Sequence, residues 1–344
     1  MAANAVITKV KAMRGKQLTQ EDYQELLHKK SVAEIASYLK NETQYAYALK
    51  DVRENLVHRG QLENMLRRSL FEQTVKLYRY ADSSLRPYFQ IFIQQIEINT
   101  ILQQLRVLIS KEREDAIAEL PVFMKSYMCF DLLRLGGVET FDELLDVLKK
   151  TSYYDTLSSY RVGKGLEKNI AYTDCETALY KKYYEHVFDV IDHTLKGQNK
   201  KAVKEFHAVE LELSNIAKIY RFKRYFNARE DVIRDALVPI YHHISKAKLE
   251  FMIADTTDKE FLKRFSETWY HMQVDDTAHT YIEWYMDKFR YQKAKKHVYY
   301  SMSAPLVFSS FMFLQKIELE NIINIIEGVR YHVDSDDIEK MLIY

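Results

Sequence analysis

Ser31-Val32-Ala33-Glu34-Ile35-Ala36-Ser37-Tyr38-Leu39, with Thr43 and Tyr45 close behind, is the first of three copies of one helical phrase. The second reads Thr140-Phe141-Asp142-Glu143-Leu144-Leu145-Asp146-Val147-Leu148, then Thr151 and Tyr153. The third reads Thr257-Asp258-Lys259-Glu260-Phe261-Leu262-Lys263-Arg264-Phe265, then Thr268 and Tyr270. Each has a hydroxyl residue, a glutamate three positions on, two apolar residues, a later apolar residue and Thr-x-Tyr; the first carries one extra residue before its threonine. A Ser or Thr followed three residues later by Glu, ahead of an apolar run, is the pattern of a capping box. The hydroxyl accepts from the N–H three residues in, and the glutamate reaches back to the cap's own N–H. Three helix starts are marked.

A second phrase follows each start: Glu97-Ile98 with Ile101, Leu102 and Leu105; Glu212-Leu213 with Ile216, Ala217 and Tyr220; Glu318-Leu319 with Ile322, Ile323 and Ile326. Apolar residues at this spacing form one face of a helix, so each phrase predicts a buried-face helix introduced by a glutamate. The separations from cap to glutamate are 66, 72 and 61 residues. Two phrases recurring three times in one order predict three related helical subdomains, divided as 1–115, 116–233 and 234–344.

The composition agrees with an all-α chain. In 344 residues there are 8 Gly and 4 Pro, too few turn formers for a sheet-rich fold, while 47% apolar residues supply ample core. Tyr outnumbers Phe, 26 to 17, which suits helix contacts apolar on one side and wet on the other. With 50 Lys and Arg against 49 Asp and Glu, there is no global basic field to hold nucleic acid. Cys129 and Cys175 lack CxxC spacing and point to a reducing compartment rather than a disulfide scaffold or zinc site. Lys9, Lys11 and Lys16 interrupt the first 18 residues, which predict an ordinary helix on Val6, Val10 and Met13 and not a signal peptide. From His297 to Gln315 there is no charged residue, but the serines and Pro305 within it predict a buried helix opening near Pro305 rather than a membrane span. The expectation is a soluble protein, cytoplasmic and peripheral to a membrane complex.

Motifs for chemistry fail on inspection, and neither catalytic residues, a cofactor nor a metal is expected. Gly163-Lys164-Gly165 lacks the frame of a phosphate loop and predicts a flexible turn. Asp334, Asp336 and Asp337 lack the glycine and closing glutamate of a calcium loop and suit a helix start capped by Asp334 or Ser335. Asp275-Asp276 has His279 where an aspartate-rich magnesium motif would carry its third aspartate. The pair His242-His243 has no HExxH frame, so its histidines are expected on the surface or in the core. Glu97, Glu212 and Glu318 could converge to bind something basic; the plainer expectation puts them at a helix flank, solvated or paired. Basic clusters at Lys218 to Arg224 and Lys288 to Lys296 are local, and Lys223, Arg224, Lys293 and Lys296 are the candidate contacts for an acidic protein partner.

Taken together, Lys9-Val10-Lys11-Ala12-Met13, the Glu34 to Tyr45 phrase, Glu318-Leu319-Glu320-Asn321-Ile322, Gly328-Val329-Arg330 and Asp336-Asp337-Ile338-Glu339 to Leu342 resemble the C subunit of V/A-type rotary ATPases, the counterpart of the d subunit in the eukaryotic vacuolar enzyme. The resemblance spans essentially the whole chain. It implies a funnel of three similar helical subdomains about a pseudo-threefold axis, lying on the cytoplasmic face of the membrane rotor ring and receiving the central stalk of subunits D and F. The implied role is a non-catalytic coupler that transmits torque for proton or sodium transport. Thr100 stands where the other copies have Asn215 and Asn321, which weighs against one shared role for that asparagine. A helical enzyme with a pocket assembled by folding, or a generic helical scaffold, remain the other readings of the residues.

Overall fold

The computed structural model describes residues 2–110, 122–160, 172–255, 257–275 and 281–344, and no strand occurs among them. The segment of Gly163-Lys164-Gly165 lies outside the described residues, as do Asp276 and His279. The chain forms two compact units: Met1–Arg86 with Val274–Tyr344, and Pro87–Gln273.

The first unit opens with α1 (Ala2–Arg14), α2 (Gln20–Leu27), α3 (Val32–Glu42) and α4 (Arg59–Tyr80). The second is built from α5 (Arg86–Ser110), α6 (Leu132–Gly136), α7 (Phe141–Leu148), α8 (Ser152–Ser158), α9 (Tyr172–Thr194), α10 (Gly197–Phe226), α11 (Glu230–Asp235), α12 (Lys246–Ala254) and α13 (Asp258–Ser266). The chain then returns to the first unit with α14 (Ile282–Tyr300), α15 (Ala304–Arg330) and α16 (Ser335–Met341).

All three marked helix starts are present. Ser31, Thr140 and Thr257 each accept from the backbone N–H three residues on, at 3.2 Å in every copy. Only Thr257 closes the full box, with Glu260 accepting from the Thr257 N–H. In the other two, Glu34 and Glu143 accept instead from the residue before the cap, Lys30 and Glu139. The glutamate side chain spans one residue further there, and an orphan donor is still satisfied. A fourth start, which the repeated phrases do not mark, is the box of Thr19 and Asp22 on α2.

The charge-free run from His297 to Gln315 divides as its punctuation dictates. His297 to Tyr300 completes α14, Ser301 takes extended backbone, and α15 opens with Pro305 in its first turn, where a missing N–H costs nothing. The helix is buried over most of its length and forms the spine of the first unit, with α1, α4 and α14 packed along it and α2, α3 and α16 towards its later turns. Val307, Phe308, Phe311, Leu314 and Ile317 fill its first half; Ile322, Ile325 and Ile326 fill its second. Each such side chain contributes roughly 1.5–3 kcal/mol by leaving water, so Phe311→Ala alone would cost about 3–5 kcal/mol. No helix among the described residues is long and apolar enough to cross a membrane.

Candidate functional site

The three repeat glutamates are not at a solvated flank, and they do not introduce their helices. Glu97, Glu212 and Glu318 sit in the middle of α5, α10 and α15 and are 3%, 2% and 5% exposed. A buried carboxylate is tolerated only when its oxygens are hydrogen-bonded, and the Tyr of each Thr-x-Tyr supplies one donor. The hydroxyl of Tyr153 donates to Glu97 at 2.8 Å, that of Tyr270 to Glu212 at 2.6 Å, and that of Tyr45 to Glu318 at 2.8 Å. Backbone N–H groups supply the rest: Cys129 to Glu97 at 2.6 Å; His242, His243 and Ile244 to Glu212; Leu18 to Glu318 at 3.0 Å. Gln44 adds a side-chain donor to Glu318 at 2.7 Å.

The threonine explains how each tyrosine gets there. The hydroxyls of Thr43, Thr151 and Thr268 donate to the carbonyls of Leu39, Leu148 and Phe265, ending the preceding helix. In the first and third copies the same hydroxyl accepts from the N–H of the tyrosine two residues on, fixing a tight turn. The two repeated phrases are therefore the two halves of one device. Each tyrosine pairs with a glutamate outside its own expected segment: Tyr153 with the preceding Glu97, Tyr270 with the preceding Glu212, and Tyr45 with the final Glu318.

The electrostatic signature is clearest at Glu318 and Tyr45. Burial raises the Glu318 pKa against the opposing pull of its hydrogen bonds to Tyr45, Leu18 and Gln44. Burial, with the Glu318 carboxylate beside it, pushes the Tyr45 phenol well above its ordinary value. Beside Glu97, burial and the carboxylate push the Cys129 thiol up to about 12.

One turn further along two of these helices lies a second clamp. Asn215 donates to the Val238 carbonyl at 2.6 Å and accepts from the Val238 N–H; Asn321 does the same for Ile343, at 2.8 and 3.0 Å. Thr100, at the corresponding place on α5, donates to its own helix at Ile96. The asparagines share a role that the threonine does not.

The four candidate partner-contact residues fall in two places. Lys223 and Arg224 end α10 in the second unit and are engaged at home: Lys223 donates to the Asp255 carbonyl, and Arg224 pairs with Asp258. Burial lowers the Lys223 pKa from the ordinary lysine value. Lys293 and Lys296, on α14 in the first unit, are exposed, with the Lys293 ammonium 5.5 Å from the Phe289 ring centre. Tyr225 and Phe226 are among the aromatic residues that the sequence interleaves with the basic cluster of α10; the apolar groups beside the α14 lysines are the ones that sequence reasoning missed. Tyr225 and Phe226 stand exposed next to Arg224, Phe226 at 72%, and Tyr299, Tyr300 and Met302 stand exposed at the end of α14, Tyr300 at 84%. A further grouping unsuspected from the sequence brings Glu205 of α10 beside His242 and His243, with one ligand atom of each residue within 4.8 Å of the others.

Residues 6–341 match the family described as ATP synthase (C/AC39) subunit. The chain belongs to that family. Among curated relatives, the C subunit of the A-type ATP synthase of Methanococcoides burtonii is 21% identical over 346 residues, covering 98% of this chain and 93% of the relative. The C subunit of Archaeoglobus fulgidus is 20% identical over 340 residues, covering 98% and 95%. That of Methanosarcina acetivorans is 24% identical over 232 residues, and there the match spans only 67% of this chain and 62% of the relative.

Within this member of the ATP synthase (C/AC39) family, the closing phrases are structural. Gly328 on α15 lets α16 approach, since a Cβ there would lie 2.3 Å from Ile338 Cδ1 and 2.5 Å from Cγ1. Asp334 caps α16 by accepting from the Asp336 N–H at 2.9 Å, as the acidic run predicts. The α1 residues Val6 and Val10 are fully buried.

Proposed function

We propose that this chain is the non-catalytic coupler of a rotary ATPase, joining the central stalk of subunits D and F to the membrane rotor ring and carrying torque between them. The observation that carries this reading is the family match from residue 6 to 341, with relatives aligned over nearly their whole length that are named as C subunits of A-type ATP synthases. In this reading the protein is a funnel of three similar helical modules about a pseudo-threefold axis. It is peripheral to the cytoplasmic face of the membrane, and the glutamate–tyrosine clamps make it stiff enough to transmit rotation. The modules are related in sequence by 1–115, 116–233 and 234–344, and each is completed by a clamp to its neighbour.

The support from physical chemistry is of two kinds. Buried carboxylates held by several donors, and asparagines that grip extended segments, rigidify a core because partial satisfaction would be costly. Exposed tyrosines, phenylalanine and methionine beside basic residues have the chemistry of interface anchors with a charged rim. Lys223, Arg224, Lys293 and Lys296 are assigned to contacts with acidic partner surfaces.

Co-purification of the full chain with stalk subunits D and F and with the assembled ring tests the proposal. A stoichiometric complex with both, and no turnover by the chain alone, is expected. A chain that ignores both in solution overturns it.

A further inference from the structure

We propose that Glu205, His242 and His243 form a binding site for a divalent transition-metal cation, with Zn2+ as the best fit. The site does not depend on the coupling role. Two imidazoles and a carboxylate are the donor set that suits Zn2+ and its neighbours in the first transition row rather than Mg2+ or Ca2+, which take oxygen ligands.

Three features of the fold assemble it. First, Glu205 and Glu212 are seven residues apart on α10, two turns on one face. Glu212 grips the backbone N–H groups of His242, His243 and Ile244 at 2.9 to 3.1 Å. The helix that offers the carboxylate ligand therefore also holds the segment that offers the imidazoles. Second, the His243 ring lies flat on Trp269, with ring centres 3.5 Å apart and planes within 8°, which fixes its orientation. The His242 ring lies 4.1 Å from it, centre to centre. Third, the ligand atoms already lie within 4.8 Å of one another. A tetrahedral zinc site with ligand bonds of about 2.0–2.1 Å has its ligand atoms about 3.3 Å apart. With the His243 ring held on Trp269, closing to that spacing moves the other two atoms by up to about 1.5 Å, a shift that rotation of the exposed His242 and the half-buried Glu205 supplies. Exposure on the His242 side leaves a fourth position for water. Bound there, the cation ties α10 to the loop that leads from α11 to α12.

The test uses the full chain without an affinity tag, stripped with a chelator and titrated with ZnCl2 by calorimetry and with CoCl2 by visible absorption. One equivalent of each should bind, and Zn2+ should raise the melting temperature while Mg2+ leaves it unchanged. Glu205→Gln and His242→Gln should each weaken Zn2+ binding by at least about tenfold, by analogy with the losses seen on disturbing metal shells, and abolish the thermal shift. Both positions reach solvent, so both variants keep the helical circular dichroism of the parent. His186→Gln, on the exposed face of α9, should bind as the parent does. Absence of saturable binding, equal binding of Mg2+, or Zn2+ binding indifferent to both substitutions overturns the assignment.

Discussion

The Tyr45 hydroxyl donates to Glu318 at 2.8 Å across 273 residues of sequence, and both groups are buried. Equivalent bonds join Tyr153 to Glu97 and Tyr270 to Glu212, but the carboxylates differ in what else holds them. Glu212 receives three backbone N–H groups, whereas the backbone bond described at Glu97 is the one from Cys129. A hydrogen bond to a charged group is worth about 1.5–3 kcal/mol. Tyr153→Phe should therefore fall at the upper end of that range and Tyr270→Phe at the lower. Urea unfolding midpoints of the two variants decide it; equal losses would mean that the tyrosine contributes independently of the backbone donors.

Glu318 gives a pH signature. Its folded pKa lies above the ordinary glutamate value of 4.5 because burial dominates. A carboxyl raised in this sense contributes stability that is fully present below its unfolded pKa and is lost as pH climbs through the folded one. Glu318→Gln removes this titration, and it also turns an amide donor towards a site built from donors, at about 1–3 kcal/mol. The penalty of the substitution should be largest in mild acid and shrink towards alkaline pH. Denaturant titrations of both proteins across that window measure the difference; a penalty that grows with pH would reverse the assigned sign.

Gly328 is required by packing rather than by backbone conformation. Gly328→Ala drives its Cβ into Ile338, and overpacking of this kind costs about 1–3 kcal/mol. Ile338→Val removes Cδ1, the nearest atom. The alanine should therefore cost less in the Ile338→Val background than in the parent, a double-mutant comparison of melting temperatures. Additive losses would show that the helices do not meet as described.

Asn321→Ala frees Ile343, whose N–H and carbonyl both lose their partner. A loss of about 1–3 kcal/mol is expected, with amide exchange accelerated at Ile343 ahead of the rest of the unit. Thr100→Ala, which removes only a bond within α5, should release no distant segment.

Cys129 reaches solvent, yet its thiol is pushed up to about 12 by burial of its sulfur and by Glu97. Reaction requires the thiolate. Alkylation near neutral pH should therefore be slower than that of a free thiol in the unfolded chain, and Glu97→Gln should speed it. Unchanged labelling in that variant would remove the carboxylate as the cause.

What could be read from the residues was what depends on local period. Ser31, Thr140 and Thr257 announce helix starts because capping is a relation over three residues, and the buried faces follow from spacings of three and four. The burial of the repeat glutamates also has a signal in the sequence, though an easily missed one. Glu97, Ile101 and Leu105 are four apart, as are Glu212, Ile216 and Tyr220, and Glu318, Ile322 and Ile326, so each carboxylate lies on its own apolar stripe. The partner of each glutamate was not legible, because hydrogen bonding over 56, 58 or 273 residues is set by how helices pack. The engagement of Lys223 and Arg224 by Asp255 and Asp258 was hidden for the same reason.

The clamp between Tyr45 and Glu318 also orders events at the ribosome. The first unit needs Val274–Tyr344 to be whole, so its opening 86 residues emerge with a core surface that waits for the last helices. The Pro87–Gln273 unit is continuous in sequence and can condense while synthesis continues. During that interval the apolar faces of α1 to α4 that pack on α15 stay uncovered, and they are closed only once α15 has been made.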